Sequence, residues 1–244
     1  MEREHLDTLM EFLNMPVGGT EEVFAKFENL PGAIARGEGL ERFVYIPGSR
    51  ENRVLLVAHA DTYDDLHYCE EEPDSGNLVI GGGKISREKG ILGADDRAGC
   101  AMIWILKDMG HSLLIVSGEE HGQVGSHWLM EENLDIADEI NQTHQFLVEL
   151  DRANATDFKC YDVGTEAFRE YVSKETSYTE PDRLSCTDIK TLCRDVCGVN
   201  LSVGYQNEHY EDEILVLDDW EHTLQLCQRW LSNKELPRFP LVGE

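Results

Sequence analysis

Three short apolar runs do most to limit what this chain can fold into. They are Val54–Ala58 (VLLVA), Ser112–Ser117 (SLLIVS) and Phe146–Leu150 (FLVEL). Each run is nearly continuous in apolar side chains, which is typical of a strand buried on both faces of a sheet. Helical patterns lie between them, as in residues 98–109 (AGCAMIWILKDM). This alternation predicts an α/β fold, a three-layer sandwich with a central mixed, mostly parallel sheet.

The rest of the chain supplies the flanking layers. Apolar residues at three-and-four spacing predict helices over residues 2–14, 20–29, 126–132, 166–173, 188–196 and 218–232. Further strands are predicted at 42–46 and 200–204, and a hairpin over 78–85. The chain has 244 residues, of which 41% are hydrophobic, and this is enough for one domain spanning residues 1–244.

The charge of the chain excludes several classes of partner. There are 48 acidic and 21 basic residues, and the formal net charge is −27. Phosphate groups would be repelled, so we expect neither nucleic acid nor an anionic membrane as a partner. No run of about 18 apolar residues predicts a membrane span. The charged N-terminal segment MEREHLDTLMEFLNM lacks the pattern of a secretory signal, so a cytoplasmic location is expected.

The seven cysteines do not match a disulfide framework, because their number is odd and their spacing is irregular. Cys193 and Cys197 lie four residues apart in a predicted helix. No second pair accompanies them in the sequence to complete a metal site of the usual spacing. We therefore predict that both are free thiols that bind no metal.

Charged residues follow each of the three apolar runs directly. His59 and Asp61 follow the first run, Glu119 and Glu120 follow the second, and Asp151 follows the third. In a parallel sheet these positions meet at one edge, where sites of α/β proteins form. Clustered carboxylates repel one another unless a cation compensates them. Mixed histidine and carboxylate ligands suit zinc, with cobalt or manganese as substitutes, so the pattern predicts a pair of divalent metal ions.

Each of these residues also has a simpler structural explanation when taken alone. Asp95 or Asp96, in the sequence GADD, is well placed to cap the helix that follows. Glu119 and Glu120 would be ordinary in a solvated loop, and a single buried histidine such as His59 is more often structural than a metal ligand. The prediction of a metal site depends on their occurring together.

The joint pattern resembles a known superfamily. The series VAHADT, GADDRAG, GEEHGQVGS, ELD and NEHYEDE is similar to the two-zinc exopeptidases of clan MH, which include aminopeptidases, carboxypeptidases and tripeptidases. Order and spacing match over about residues 54–216. The segment TDIKTLCRDVCGVNLSVG also resembles the late Thr/Ser-Asp helix of that superfamily and the strand after it.

The resemblance implies a metal-binding role for five residues. Asp95 would bridge two metal ions. Glu120 and His209 would complete one metal site, and His59 and Asp151 would complete the other.

The resemblance also implies two catalytic roles. Asp61 would orient His59 and set its tautomer. Glu119 would be the general base that takes a proton from the attacking water and passes it to the leaving amine. Members of the superfamily have a cis peptide bond after the bridging aspartate, here between Asp95 and Asp96.

The sequence departs from the superfamily at two of these positions. Arg152 follows Asp151, where many aminopeptidases have an apolar residue, so Glu149 and Asp157 stay open as alternatives for the role of Asp151. Tyr210 follows the late histidine, where a small residue is usual.

The spacing also leaves no room for an inserted domain. Only 35 residues separate His59 from Asp95, and only 33 separate Asp151 from Ser185. We therefore predict a bare catalytic domain without the lid or dimerisation domain that several relatives carry.

The predicted function is hydrolysis of short peptides by a metal-dependent exopeptidase, either an aminopeptidase or a di/tripeptidase. The alternatives are an amidohydrolase acting on N-acyl amino acids or other small amides, and a non-catalytic family member that acts as a binding protein. A free substrate amine would need a carboxylate partner, for which Asp64, Asp65 and Glu70–Glu72 are candidates. No oligomeric state is predicted.

Overall fold

The computed structural model describes residues 1–63, 76–182 and 185–241. The strands are β1 (Ile34–Glu38), β2 (Glu41–Ile46), β3 (Leu55–His59), β4 (Leu78–Gly81), β5 (Lys84–Arg87), β6 (Ser112–Val116), β7 (Leu147–Arg152), β8 (Phe158–Lys159), β9 (Gly198–Ser202), β10 (Tyr205–Gln206) and β11 (Ile214–Val216). The helices are α1 (Arg3–Leu13), α2 (Glu21–Glu28), α3 (Ala94–Leu106), α4 (Val124–Glu132), α5 (Leu134–Thr143), α6 (Glu166–Thr176), α7 (Asp188–Leu192) and α8 (Leu217–Leu231).

A mixed sheet of seven strands lies at the centre, in the order β1-β2-β6-β3-β7-β9-β8. β3 pairs in parallel with β6 and with β7, and β7 pairs in parallel with β9. The outer strands β1, β2 and β8 pair antiparallel to their neighbours. The prediction that the three apolar runs form adjacent buried strands is confirmed, and all five residues of β3 and of β6 are buried.

Helices cover both faces of this sheet, so the predicted three-layer sandwich is confirmed. One apolar cluster joins α1, α2, α3, α6 and α8 to one face, and a second cluster joins α4, α5 and α7 to the other. Helix α3 approaches the sheet closely at Gly99. A Cβ atom there would collide with the main-chain oxygen of Leu150 in β7.

A smaller sheet of four strands, in the order β10-β11-β5-β4, lies beside the first. It contains the predicted hairpin, since β4 and β5 pair antiparallel. The pairing of β5 with β11 connects this hairpin to a segment near the end of the chain. Among the described residues, no helix is both long enough and apolar enough to cross a membrane.

Some observed elements differ from the predicted ones. β1, β8, β10, β11 and α5 were not predicted at all. The helix predicted over residues 188–196 ends at Leu192, and the helix predicted from residue 98 begins at Ala94. Within that last helix, Asp95 and Asp96 have non-helical backbone angles.

The described cysteines are free thiols, and Cys193 and Cys197 are among the buried ones. That these two bind no metal stays a prediction, as does the assignment of residues 1–244 to a single domain. The candidate carboxylates Asp64, Asp65 and Glu70–Glu72 lie outside the described residues.

Candidate metal centre

The five candidate ligands come from five segments that end on the same side of the central sheet. His59 is the last residue of β3, and Asp151 lies near the end of β7. Glu120 lies in the turn after β6, and Asp95 lies in the first turn of α3. His209 lies between β10 and β11. The chain therefore brings together residues that are up to 150 positions apart in the sequence.

Asp95 lies between the two histidines. Its Oδ1 atom is 3.0 Å from Nε2 of His59, and its Oδ2 atom is 3.3 Å from Nε2 of His209. The side chains of Asp95 and His59 are buried, whereas the side chain of His209 is 36% exposed. A carboxylate that presents one oxygen to each of two imidazoles has the arrangement of a ligand that bridges two cations.

Glu120 completes the contacts of His209. Its Oε1 atom lies 3.0 Å from Nε2 of His209. Both atoms are buried, yet neither has a hydrogen-bond partner. Buried polar atoms without partners are rare in folded proteins, and a cation between these two would satisfy both. The donor set of imidazole nitrogen and carboxylate oxygen fits zinc and similar divalent ions.

Asp151 contacts the same nitrogen of His59 as Asp95 does. Its Oδ1 atom is 3.4 Å from Nε2 of His59. Its carboxylate is held by two donors, since Thr187 Oγ1 donates to Oδ2 at 3.1 Å and the Tyr205 hydroxyl donates to Oδ1 at 3.1 Å. Asn200 fixes the main chain of Asp151 by accepting a hydrogen bond from its N–H and donating one to its oxygen.

The two alternatives to Asp151 lie elsewhere. Asp157 lies 4.0 Å from a guanidinium nitrogen of Arg152. Glu149 is fully buried, and neither of its carboxylate oxygens has a hydrogen-bond partner. Burial, together with the negative charge of Asp151, raises the pKa of Glu149 well above its usual range. Of these three carboxylates, Asp151 is the one that the structure places against His59.

Asp61 contacts both His59 and the turn that follows β6. The Nδ1 atom of His59 lies 3.0 Å from the main-chain oxygen of Asp61 and 3.6 Å from its carboxylate. The carboxylate instead accepts hydrogen bonds from the main-chain N–H groups of Gly118, Glu119 and Glu120, at 2.8, 3.4 and 3.2 Å. Asp61 thus holds the turn that carries the predicted base and one predicted ligand.

Asp96 is a helix-capping residue. The peptide bond between Asp95 and Asp96 is cis, as the resemblance implies. The Oδ1 atom of Asp96 accepts a hydrogen bond from Gly99 N–H, and its Oδ2 atom accepts one from His59 N–H. Its ligand atom also lies within 4.8 Å of those of His59 and Asp151. Because both of its oxygens already accept main-chain N–H groups, we prefer Asp95 over Asp96 as the metal ligand.

The role of Glu213 was not predicted from the sequence. Its buried carboxylate accepts hydrogen bonds from the N–H groups of Gly93, Ala94 and Asp95, at 2.7, 2.8 and 3.2 Å. Burial and the nearby Asp95 raise the pKa of Glu213 to about 8. Its position, four residues after His209 in the NEHYEDE motif, was the only signal of its importance in the sequence.

The electrostatics of the cluster reflect its excess of negative charge. Burial lowers the pKa of His209, but the carboxylates of Asp95 and Glu120 outweigh it and raise that pKa to about 10. Burial and the charge of Asp95 raise the pKa of Asp151 to about 7. Burial raises the pKa of Glu119 to about 10. These shifts have the signs expected where several carboxylates converge on a site for cations.

The cluster opens into a pocket of about 170 Å³. Its lining includes the predicted base Glu119 and the ligands Asp95, Glu120, Asp151 and His209. The aromatic ring of Tyr63 stacks on His209 with a centroid distance of 4.5 Å. An adjoining open groove of about 720 Å³ shares His209 with the pocket. A small polar substrate can therefore reach the candidate ligands.

The comparisons with known proteins identify the fold. No protein-family model matches the sequence, and no curated protein matches it. Solved structures do match over nearly the whole chain. A tripeptidase from Staphylococcus aureus subsp. aureus Mu50 has a TM-score of 0.68 at 12% identity, covering 95% of this chain and 98% of its own.

Two further structures give the same result. Aminopeptidase PepT from Bacillus cereus ATCC 10987 has a TM-score of 0.62 at 14% identity, with 95% of this chain and 98% of its own chain covered. An aminopeptidase from the archaeon Desulfurococcus kamchatkensis has a TM-score of 0.61 at 11% identity, with 94% and 98% covered. The chain therefore has the α/β fold of these peptidases.

Proposed function

We propose that this chain, which has the fold of known aminopeptidases and a tripeptidase, is a metal-dependent exopeptidase that hydrolyses short peptides. One observation carries the proposal: Asp95 presents its two oxygens to His59 and His209, at 3.0 and 3.3 Å. Glu120 and Asp151 flank the two histidines. These residues would hold a pair of divalent cations, and the mixture of imidazole and carboxylate ligands favours zinc.

Bound divalent cations would polarise the scissile carbonyl and lower the pKa of the attacking water. The side chains of the protein would transfer the proton and position the reacting groups. Glu119 lines the pocket beside the ligands and takes the proton of the attacking water, then delivers it to the leaving amine. Asp61 keeps Glu119 in place through the N–H groups of the turn. Thr187 and Tyr205 restrict the carboxylate of Asp151 to one orientation.

The test combines metal analysis with a substrate panel. Protein purified in zinc should bind about two divalent ions per chain, and acid should release them because the ligands must be deprotonated. The loaded protein should hydrolyse amino-acid amides, dipeptides or tripeptides, and N-acetyl amino acids should be poor substrates. Preferred turnover of N-acetyl amino acids would favour the amidohydrolase alternative.

A matched pair of variants controls for non-specific effects. Asp95→Asn removes the bridging charge and should abolish binding of both ions and all hydrolysis. Asp108→Asn, on an exposed side chain beside Lys107, should retain both. Full metal content without hydrolysis of any member of the panel would contradict the catalytic proposal. Failure to bind metal at neutral pH would contradict the metal centre itself.

A further inference from the structure

Arg152 is a buried cation whose guanidinium has no hydrogen bond to any described residue. Its side chain is 7% exposed, and the carboxylate of Asp157, its one ion-pair partner among the described residues, lies 4.0 Å away, which is beyond hydrogen-bond distance. The structure gives its guanidinium no hydrogen-bond partner within residues 1–63, 76–182 and 185–241, and its Nε atom is buried and unpaired. Arg97, which is buried more deeply, instead donates to the main-chain oxygens of Ala60, Pro16 and Gly19.

This unpaired cation lies in the pocket of the candidate metal centre. Arg152 lines the pocket together with the ligands Asp95, Glu120 and Asp151. Among the described residues that line it, Arg152 is the one arginine, and no lysine is present. A buried charge without a good partner is unfavourable for folding, and no described residue of the chain compensates this one. An anionic group of a bound substrate would do so.

The shape and charge of the guanidinium indicate what that partner is. Its planar fork of N–H donors matches a carboxylate, which it binds through two parallel hydrogen bonds. The pocket of about 170 Å³ that Arg152 lines also contains the candidate ligands Asp95, Glu120 and Asp151. A group that reaches Arg152 is therefore attached close to the bond that is cut.

We propose that Arg152 binds a carboxylate of the substrate within one residue of the scissile bond, and so selects acidic or very short peptides. The proposal rests on the peptidase function proposed above. Two sources supply this chemistry: the side chain of an aspartate or glutamate, and the free C-terminal carboxylate of a di- or tripeptide. Asp157 has a positioning role, because at 4.0 Å it attracts the guanidinium without occupying its donors.

Kinetics on four matched substrates separates the two sources. Ala-Ala and Ala-Ala-amide differ in the C-terminal carboxylate, whereas Glu-Ala-amide and Gln-Ala-amide differ in the side-chain carboxylate. For one of these pairs, the wild-type protein should prefer the charged member in kcat/KM by about 30-fold or more, which is the usual size of a bidentate charge-assisted contact. Arg152→Met should reduce that ratio to near 1, and Arg152→Lys should give an intermediate ratio.

Binding without turnover provides a second measurement. Glutarate and butyrate each place one carboxylate at the metal ions, but only glutarate has a second one for Arg152. Calorimetry on zinc-loaded protein should give tighter binding of glutarate by about tenfold or more, and this advantage should disappear in Arg152→Met. This measurement remains decisive even if no peptide is hydrolysed, because it needs no turnover.

The control is Arg194→Met, at an exposed arginine paired with Asp138 and Asp195. It should leave the substrate ratios and the glutarate advantage as in the wild type. Metal content and melting temperature check that each variant is folded. Equal losses on charged and neutral substrates in Arg152→Met, or wild-type protein without a preference in either pair and without a glutarate advantage, would overturn the proposal. Hydrolysis of the neutral amides with no carboxylate preference would overturn it while leaving the peptidase function intact.

Discussion

Replacing Glu119 by glutamine should separate proton transfer from metal binding, because its neighbour Glu120 provides a matched control. Glu120 lies 3.0 Å from His209 and is a predicted ligand. The carboxylate of Glu119 lines the pocket and has no ion-pair partner in the part of the chain that the structure describes. The two substitutions are chemically identical and adjacent, so differences between them reflect position alone.

The expected magnitude follows from what glutamine keeps and loses. Burial raises the pKa of Glu119 to about 10 in the metal-free chain, so a neutral glutamine of the same size should leave the fold intact. Divalent cations at Asp95 and Glu120 would lower that pKa, because they favour the ionised form. Proton transfer by a positioned acid or base is worth about 10²–10⁴ in rate, or about 3–5.5 kcal/mol of barrier. Turnover by Glu119→Gln should fall by that factor.

The assay measures zinc content, melting temperature and steady-state kinetics on an amino-acid amide at saturating zinc. Glu119→Gln should keep its zinc and its melting temperature, and kcat should fall much more than KM changes, since the lost interaction forms mainly in the transition state. Glu120→Gln should lose zinc and activity together. Near-normal turnover by zinc-saturated Glu119→Gln would refute the base assignment, and Asp61 or Asp96 would then have to be tested.

Three further predictions concern stability and the supports of the site. Gly99→Ala should lower the free energy of unfolding by about 1–3 kcal/mol in urea denaturation, because the added methyl would collide with the Leu150 main chain, whereas Gly81→Ala, which faces open space, should change it far less. Glu213→Gln places an amide N–H against main-chain N–H donors, so it should lower the free energy of unfolding by about 1–3 kcal/mol and weaken zinc binding. Calorimetry measures both quantities, and unchanged values would contradict the role given to Glu213. Burial lowers the pKa of His144 to about 3, below its unfolded value of about 6.5. The unfolded chain therefore takes up a proton at His144 more readily than the folded protein, and the free energy of unfolding decreases as pH falls below 6.5. At pH 5 that loss is about 2 kcal/mol, and the difference in unfolding free energy between wild type and His144→Gln should shrink by this amount from pH 7.5 to pH 5.

The parts of the fold that were predictable are those whose pattern is local. The strands are Leu55–His59, Ser112–Val116 and Leu147–Arg152. They are largely buried on both faces, so their sequences are mostly apolar, with Glu149 as the charged residue in mid-strand. β1 has the sequence IARGE and lies at the sheet edge with mostly exposed side chains, so nothing in it indicates a strand apart from its pairing with β2. The two-residue strand β8 likewise exists only through its pairing with β9, a partner distant in the sequence, and β10 is too short to have a pattern of its own.

The site was predictable to the extent that its residues follow buried strands. His59 and Asp151 both lie at the ends of buried strands, and the structure places Nε2 of His59 3.4 Å from Oδ1 of Asp151. The relation between Asp95 and Asp96 could not be derived from composition, because two adjacent aspartates before a helix look equivalent until their hydrogen bonds are known. The contacts of Glu213 were also inaccessible, because they join segments about 120 residues apart. The metal-binding and catalytic roles themselves stay predictions.

The three hydrogen bonds to Glu213 have a consequence for hydrogen exchange. The amide hydrogens of residues 93–95 are covered by a carboxylate from the segment between β10 and α8, so they exchange with solvent only when that segment moves away. His209 lies in the same segment and contacts Asp95. A metal ion held by His209 and Asp95 would tie the segment down from the other side. Hydrogen exchange at residues 93 and 94 should therefore slow when zinc is added. These two amides have no predicted contact with the metal, yet their exchange rates would indicate whether it is bound.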